Sequence, residues 1–380
     1  MAATLRFGLI GSGFMGRAHA IALHAVGATF GADYRVDCEM LADSSAERAG
    51  QAAEALGFAR STCDWRELIA DPRIDVVDIC TPNHLHAEMV LAALSAGKHV
   101  YCEKPLALDL RESVAVADAA KRARVCNALG FNYICNPMIQ LARDIIQAGE
   151  LGEITGFSGR YVEDYMCDPR APFTWRCERR LAGAGALADL GSHLINLGHF
   201  LLGPIARVSG VVRTVHKQRI EPVSGAVRTV ENEDLAHALF EFASGVPATI
   251  EISRVATGYK CGLTAQILGT RGTLLFDQQR MNELRLYRTD DASGRHGFRT
   301  ILAGPEHPDY AAFCPAPGHG LGINDLKVIE VRNLLRAIRI GVDAAPDFAE
   351  GLRVQKVMTA IELAAASGSW VGVNQVTATL

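Results

Sequence analysis

The stretch Leu5-Arg6-Phe7-Gly8-Leu9-Ile10-Gly11-Ser12-Gly13-Phe14-Met15-Gly16 decides the fold. Its first half is a short apolar run, its second half a glycine-rich turn, and the Ala/His/Leu-rich residues that follow, to about Val26, carry a helix pattern. Strand, turn and helix in this order are the context in which three glycines at G-x-G-x-x-G bind a dinucleotide. Gly11 permits the tight turn, Gly13 lets the backbone approach a pyrophosphate, and Gly16 lets the helix pack closely on the sheet. The phosphates then sit at the positive end of the helix.

Working outward, the alternation continues with a strand over residues 36–42, helices over 46–56 and 65–69, and a strand over 76–80. A helix over 86–96 is closed by Gly97, and a strand over 99–102, a helix over 110–123 and a strand over 125–129 follow. Strands alternating with helices imply a parallel sheet covered on both faces. After Phe131 the pattern changes: a helix over 138–148 stops at Gly149, and strand patterns appear at 154–162, 206–215, 235–242, 248–254, 263–269 and 272–276, separated by turn signals such as Ser244-Gly245. Residues 289–299 and 304–322 read as loops, and helices over 324–338 and 349–366 close the chain. The expected fold class is α/β. Residues 1–130 form an N-terminal Rossmann domain with a doubly wound parallel sheet, and residues 131–380 a C-terminal α+β domain with a large, mainly antiparallel open sheet.

Composition narrows the class of function. The 380 residues exceed what one hydrophobic core usually organises, and 49% hydrophobic with 21% charged residues is an ordinary globular balance. A net charge of -4 without a long Lys/Arg run argues against a nucleic-acid surface, which needs a clustered positive field; Arg176, Arg179 and Arg180 form at most a local patch. Met1 to Arg6 lead straight into the first strand with no charged leader before a long apolar stretch, so no export, no membrane partner and a cytoplasmic location are expected. The ten cysteines show no C-x-x-C spacing and are expected as free thiols filling small core positions.

Three further segments sit where chemistry is expected. Cys80-Thr81-Pro82-Asn83-His84-Leu85-His86 and Glu103-Lys104-Pro105 each follow a strand, on the edge of an open parallel sheet that binds ligands. In Gly183-Ala184-Gly185-Ala186-Leu187-Ala188-Asp189-Leu190-Gly191-Ser192-His193, read as a helix, Asp189 and His193 are i and i+4 on one face. Asp43, with Ser44 beside it, ends the second strand. A carboxylate there meets the ribose hydroxyls and repels a 2′-phosphate, favouring NAD over NADP. The other reading of Asp43 is a cap on the helix beginning near Ser45, and Arg48 leaves room for NADP. His84 and His86 have no obvious third ligand, so no metal is expected.

These motifs together resemble the Gfo/Idh/MocA oxidoreductase family. The resemblance runs from the glycine loop through Thr81-Pro82-Asn83 and Glu103-Lys104-Pro105 to Asp189-x-x-x-His193, and resumes at Glu350-Gly351-Leu352-Arg353. It implies a sugar or cyclitol, pyranose, levoglucosan-like or inositol-like, lying between the nicotinamide and the second domain's sheet. It implies NAD contacts from Gly11, Gly13, Phe14, Met15, Gly16, Asp43, Ser44 and Arg48, then from Cys80, Thr81, Pro82, Asn83, His86, Glu103 and Lys104, and from Asn132, Trp175 and Arg176. Tyr133, Asn136 and Pro137 belong to the same family-like link into the second domain. Substrate contacts are implied for Lys104, Asn132, Glu163, Arg176, Asp189 and His193, with loop residues such as Asp164 and His319 setting the choice of sugar.

In the catalytic set implied by the resemblance, Lys104 hydrogen-bonds the reacting hydroxyl, His193 accepts its proton and Asp189 orients both; a cis bond is implied before Pro105. The chemistry leaves open which is the base, since a buried lysine serves as well as a histidine. A dimer or tetramer paired through the second domain's sheet is implied too. Competing readings are an NADPH-dependent keto-sugar reductase, opposed by Asp43; an NAD-dependent glycosidase; and a non-catalytic NAD-sensing regulator, opposed by the intact Lys104, Asp189 and His193.

Overall fold

The structure, a computed structural model, describes residues 4–378. The elements of the N-terminal part are β1 (Leu5–Ile10), α1 (Phe14–Phe30), β2 (Val36–Ala42), α2 (Ala46–Leu56), β3 (Arg60–Thr62), α3 (Trp65–Ala70), β4 (Val76–Ile79), α4 (His86–Ser95), β5 (His99–Glu103), α5 (Leu110–Arg122) and β6 (Asn127–Gly130). Six parallel strands stand in the order β3-β2-β1-β4-β5-β6, as the alternation predicts for a doubly wound sheet. Local chemistry ends the helices where expected: Ser45 caps α2 by accepting from the Arg48 N–H, Asp109 caps α5 through Glu112, and Gly57 and Gly97 take positive φ after α2 and α4. Helix α1 runs four residues past the expected end at Val26. Gly27 is there for space rather than as a stop, since a Cβ on it would come 3.0 Å from the Arg35 side chain.

The remaining elements are α6 (Pro137–Gln147), β7 (Ile154–Val162), α7 (Arg179–Ala182), α8 (Ser192–Leu202), β8 (Ile205–Arg213), β9 (Gln218–Ile220), β10 (Val227–Thr229), β11 (Leu235–Phe242), β12 (Pro247–Ser253), β13 (Gly262–Gly269), β14 (Gly272–Asp277), β15 (Glu283–Arg288), β16 (Arg299–Leu302), α9 (Tyr310–Phe313), α10 (Ile323–Ile340), α11 (Phe348–Ser367) and β17 (Val371–Gly372). Nine strands make one sheet in the order β16-β15-β14-β13-β7-β12-β11-β8-β17, antiparallel except for the β7/β12 pair. On one face Ala236, Ala238, Phe240 and Phe242 of β11 are buried, and α8 packs close enough that a Cβ on Gly159 of β7 would touch Leu194 at 2.8 Å. β15 and β16 were not expected: half of each strand's residues are polar, and β16 begins inside a predicted loop.

Contacts divide the chain differently from the single expected cut at 130/131. One compact unit comprises Met1–Cys135 and Gly322–Leu352, the other Asn136–Leu321 and Arg353–Leu380. Helix α10 therefore belongs with the Rossmann sheet. Its Leu326, Val328, Ile329, Val331 and Leu334 are buried, and it packs along α1.

Candidate active site

In the first unit, the glycine turn has the geometry its spacing predicts. Gly11 holds φ +97°, and a Cβ there would lie 2.7 Å from the Cys80 carbonyl oxygen at the end of β4. A Cβ on Gly16 would run into the Gly11 carbonyl oxygen, so the helix closes on the turn only with glycine. Gly13, the N-cap of α1, has nothing within 4 Å of a Cβ, no side chain caps the helix, and no acidic residue stands in its first turn. The first N–H groups of α1 are thus left to an anion approaching from an open side, beside a Phe14 ring that is 80% exposed.

Asp43 is anchored to this turn. Its carboxylate accepts the Ser12 N–H at 3.0 Å and the Ser12 hydroxyl, the Ser44 N–H at 2.7 Å and the Ser44 hydroxyl at 3.1 Å, and lies 3.2 Å from Arg48 Nε. Partial burial works against its charge. The Ser12 hydroxyl and the Ser44 and Ser12 N–H groups outweigh that and hold the carboxyl below its usual range. The cap of α2 is Ser45, so Asp43 does not serve as one.

At the ends of β4 and β5, the structure separates residues that the motifs grouped. Cys80, Thr81, Pro82, Asn83 and Lys104 are half-buried on the strand-end edge, and the Lys104-Pro105 bond is cis, as the resemblance implies. His86 is buried instead: Nδ1 lies 2.7 Å from the Pro105 carbonyl oxygen and Nε2 2.9 Å from the Thr81 carbonyl oxygen. Burial lowers its pKa, so a neutral ring donates to one of the two carbonyls and ties the loops after β4 and β5 together. Glu103 was expected at the cofactor; its carboxylate turns inward to His19 and Lys327, because two buried cations offer it more than an edge exposed to water. Asn132 is likewise buried, in a short helical turn after β6.

Among the described residues, one group could hold a metal ion, His19, Asp78 and Cys80. Burial opposes a proton on His19, but Asp78 and the hydrogen bonds to Asp78 and Glu103 outweigh it and raise its pKa to about 9. A protonated ring hydrogen-bonded through both nitrogens is no ligand at neutral pH.

In the second unit, the Asp189/His193 segment departs from the expected α-helix. Leu187–Gly191 is a π-helical turn, in which Ser192 N–H reaches the Leu187 carbonyl, and α8 starts at Ser192. Asp189 and His193 are therefore not stacked one α-helical turn apart; the extra residue turns them relative to each other, a device that recurs at functional sites. The buried Glu233 carboxylate organises the turn by accepting the Gly185 and Leu187 N–H groups, both at 2.8 Å. His193 is buried with its ring centroid 6.1 Å from that of Tyr161 on β7.

Asp189 accepts the Tyr165 hydroxyl at 2.7 Å and lies 3.7 Å from Arg176 Nε, while the Arg176 guanidinium covers the Trp175 ring at 4.5 Å. Burial of the phenol end and the adjacent Asp189 push the Tyr165 pKa well above its ordinary value, so it stays a donor. Tyr165 is the residue the sequence reading missed, although it named Glu163 and Asp164 just before it. Of those, Asp164 pairs with Lys260 at 2.7 Å, and the Glu163 backbone bridges Ser253 and Ala256. His319 is exposed and its carbonyl oxygen accepts the Tyr310 hydroxyl.

Residues 5–131 match the oxidoreductase family with an NAD-binding Rossmann fold, and residues 139–275 match the GFO/IDH/MocA C-terminal domain. The chain belongs to the GFO/IDH/MocA family. A levoglucosan dehydrogenase of Pseudarthrobacter phenanthrenivorans is 39% identical to this family member over 98% of this chain and 99% of its own. The structure of a levoglucosan dehydrogenase in complex with NADH and levoglucosan superposes with a TM-score of 0.95 at 39% identity, covering 98% and 100% of the two chains. An NAD-binding oxidoreductase from Klebsiella pneumoniae gives 0.94 at 44% identity over 98% and 99%.

This GFO/IDH/MocA protein is thus an NAD-dependent oxidoreductase, and its glycine turn fits the cofactor. The uncapped start of α1 suits the pyrophosphate and the Asp43 corner suits the adenosine ribose. None of the ten cysteines forms a disulfide, but only Cys102, Cys126, Cys135 and Cys177 are buried; Cys63 is exposed, so core filling does not account for every one. Among the described residues no helix is long and apolar enough to cross a membrane.

Proposed function

We propose that the enzyme oxidises a ring hydroxyl of a pyranose or cyclitol, levoglucosan-like or inositol-like, to the ketone. The observation that carries the reading is the Asp189 constellation, in which a carboxylate held by Tyr165 and Arg176 stands on the turn leading to a buried His193. Such a carboxylate can accept hydrogen bonds from vicinal hydroxyls, and the bound ligand named for the levoglucosan dehydrogenase complex is of that class.

Bound NAD supplies the acceptor for the hydride leaving the carbinol carbon. His193 takes the hydroxyl proton as general base, which an imidazole does well near neutral pH. The Lys104 ammonium donates to the same oxygen and stabilises charge developing there. Asp189 orients the substrate, and its rotamer is fixed by the Tyr165 hydroxyl. Asn132, Glu163 and Arg176 are proposed as further substrate contacts. Trp175, Arg176 and Asn132 are also proposed to meet the cofactor, together with Phe14, Met15, Ser44, Arg48 and the Cys80 to Asn83 loop.

A panel of anhydrosugars, pyranosides and inositols with NAD, followed by NADH absorbance, tests the reading. Turnover of at least one ring polyol is expected, falling at least about a hundredfold in Lys104→Ala and in His193→Ala. Failure of every ring polyol would remove it; near wild-type turnover in His193→Ala would remove His193 as the base and leave that role to Lys104 alone.

The enzyme is further proposed to work as a homodimer or homotetramer in the cytoplasm. The sheet face opposite α8 exposes Val211, Leu239 and Leu268 among polar residues such as Ser209, His237 and Thr249, a mixed face that a second subunit would cover. Ten thiols outside any disulfide suit a reducing compartment. A stable monomer by light scattering at micromolar concentration would exclude the assembly.

A further inference from the structure

Beneath the strand-end loops, the first unit buries a connected set of charges. His19 of α1, Asp78 of β4, Tyr101 and Glu103 of β5, and Lys327 and Glu330 of α10 are all nearly inaccessible. His19 Nδ1 donates to Asp78 at 2.8 Å and its Nε2 to Glu103 Oε1 at 2.9 Å. Lys327 Nζ donates to the same Glu103 oxygen at 2.5 Å and to Glu330 at 2.8 Å, while the Tyr101 hydroxyl donates to Glu330. The His19 and Tyr101 rings stack at 4.5 Å, and Cys80 Sγ lies 3.3 Å from His19 Nδ1. Even β6 makes room: a Cβ on Gly130 would come 2.7 Å from Glu103 Oε1.

Charges taken out of water at such density rarely improve stability over a packed apolar core, so what the cluster touches is the better guide to its use. It reaches the proposed chemistry at the Lys104 backbone. Glu103 Oε2 accepts the Lys104 backbone N–H at 3.2 Å, while Oε1 is held by the two cations. The protonation states agree with a rigid anion at this point. Burial alone would neutralise Glu103, but Lys327 first, then His19 and the Lys104 ammonium, hold it well below the ordinary range. Burial pushes the Glu330 carboxyl up, against the pull of Lys327.

We propose that Glu103 is a positioning residue for hydride transfer: clamped from beneath by His19 and Lys327, its carboxylate fixes the Lys104 backbone and with it the point from which the ammonium reaches the substrate. The inference rests on the reading above that Lys104 acts on the substrate. In this role the carboxylate beside Lys104 has two separate tasks, one oxygen for each. Aspartate is one methylene too short to keep both.

The test compares Glu103→Gln, Glu330→Gln, His19→Gln and Lys104→Ala in the intact enzyme with levoglucosan, or the best ring polyol of the panel, as substrate. In Glu103→Gln the amide oxygen stays with the two cations, so the amide NH2 faces the Lys104 N–H and the contact becomes donor against donor. Turnover is expected to fall roughly ten- to a hundredfold, the scale of a misplaced catalytic group, while NADH affinity by fluorescence stays within about threefold. Glu330→Gln, whose side chain does not touch the loop, is expected to keep kcat within about twofold. Wild-type kcat in Glu103→Gln with an inactive Lys104→Ala overturns the positioning role alone; an active Lys104→Ala overturns the underlying reading and this one with it. Equal losses of kcat in Glu103→Gln and Glu330→Gln, tracking equal losses in melting temperature, mean a structural cluster only. If Glu103→Gln does not fold, His19→Gln decides, since it loosens the clamp with Glu103 in place: a severalfold fall in kcat supports the role, and wild-type kcat in the folded variant refutes it.

Discussion

Asp43 shows how much one side chain can carry beyond its motif role. Its distance past Gly16 marks a residue at the end of the second strand, and the chemistry of a carboxylate there argues for NAD. The structure adds that the same carboxylate ties Ser12, inside the glycine turn, to Ser44 at the next strand end. Asp43→Ala should therefore narrow the preference for NAD over NADP and also weaken NAD itself by about tenfold or more, since hydrogen bonds to a charged group are worth about 1.5–3 kcal/mol each. Paired NADH and NADPH fluorescence titrations measure both; a wild-type enzyme binding NADPH more tightly would contradict the role. The Ser12 contact could not be read from the chain, because it depends on where two strand ends meet. Tyr165 was invisible for a similar reason: an aromatic after a strand reads as packing, and only the placement of Asp189 makes its hydroxyl a partner.

At the scale of elements, periodicity was a good guide wherever apolar residues faced one side. The six parallel strands and the long helices fall within a few residues of expectation, apart from the three-residue β3. It failed for β15 and β16, and for the β9/β10 ribbon, whose inward residue is Arg219, pinned by the carbonyls of Met166, Asp168 and Ala171. A buried arginine breaks a pattern that counts apolar residues. The π turn at Leu187–Gly191 was hidden as well, for it follows from the Glu233 contacts and from Gly185, where a Cβ would run into the Glu233 carbonyl oxygen. Gly185→Ala should destabilise the fold by about 1–3 kcal/mol, as an overpacked site does, and lower kcat by resetting Asp189 against His193. Thermal melts and steady-state kinetics check this, and a variant equal to wild type in both would show that the turn tolerates the shift.

For the whole molecule, the buried charges link stability to pH. His19 has its pKa raised from 6.5 to about 9, so its contribution is complete below pH 6.5 and lost as pH rises through about 9. Glu330, also pushed up, weakens the fold in the same direction as it ionises, whereas Cys80 and Tyr101 are driven well above their ordinary values by burial. Melting temperature should fall between pH 6.5 and 9, and His19→Gln should flatten that slope; an unchanged slope would show that His19 does not titrate there. Of the division of the chain, the first boundary was legible, close to the expected cut at 130/131, but the return of residues 322–352 to the first unit was not. Helix α10 has the same amphipathic pattern whichever sheet it serves, and only its buried Lys327 and Glu330 disclose that it completes the Rossmann unit.

That return of the chain sets a schedule for synthesis. When the ribosome has delivered the first 135 residues, every strand of the parallel sheet exists, but Glu103 still lacks the lysine that pairs with it, and α1 lacks the helix that covers it. Residues 322–352 arrive only after the whole intervening unit has been made. At about 5–20 residues per second, the unfinished nucleotide-binding half waits on the order of 10–40 s for its last helix. A holding chaperone that covers α1 over that interval should raise the yield of active enzyme, and a stop codon after residue 135 should release a fragment that the cell degrades.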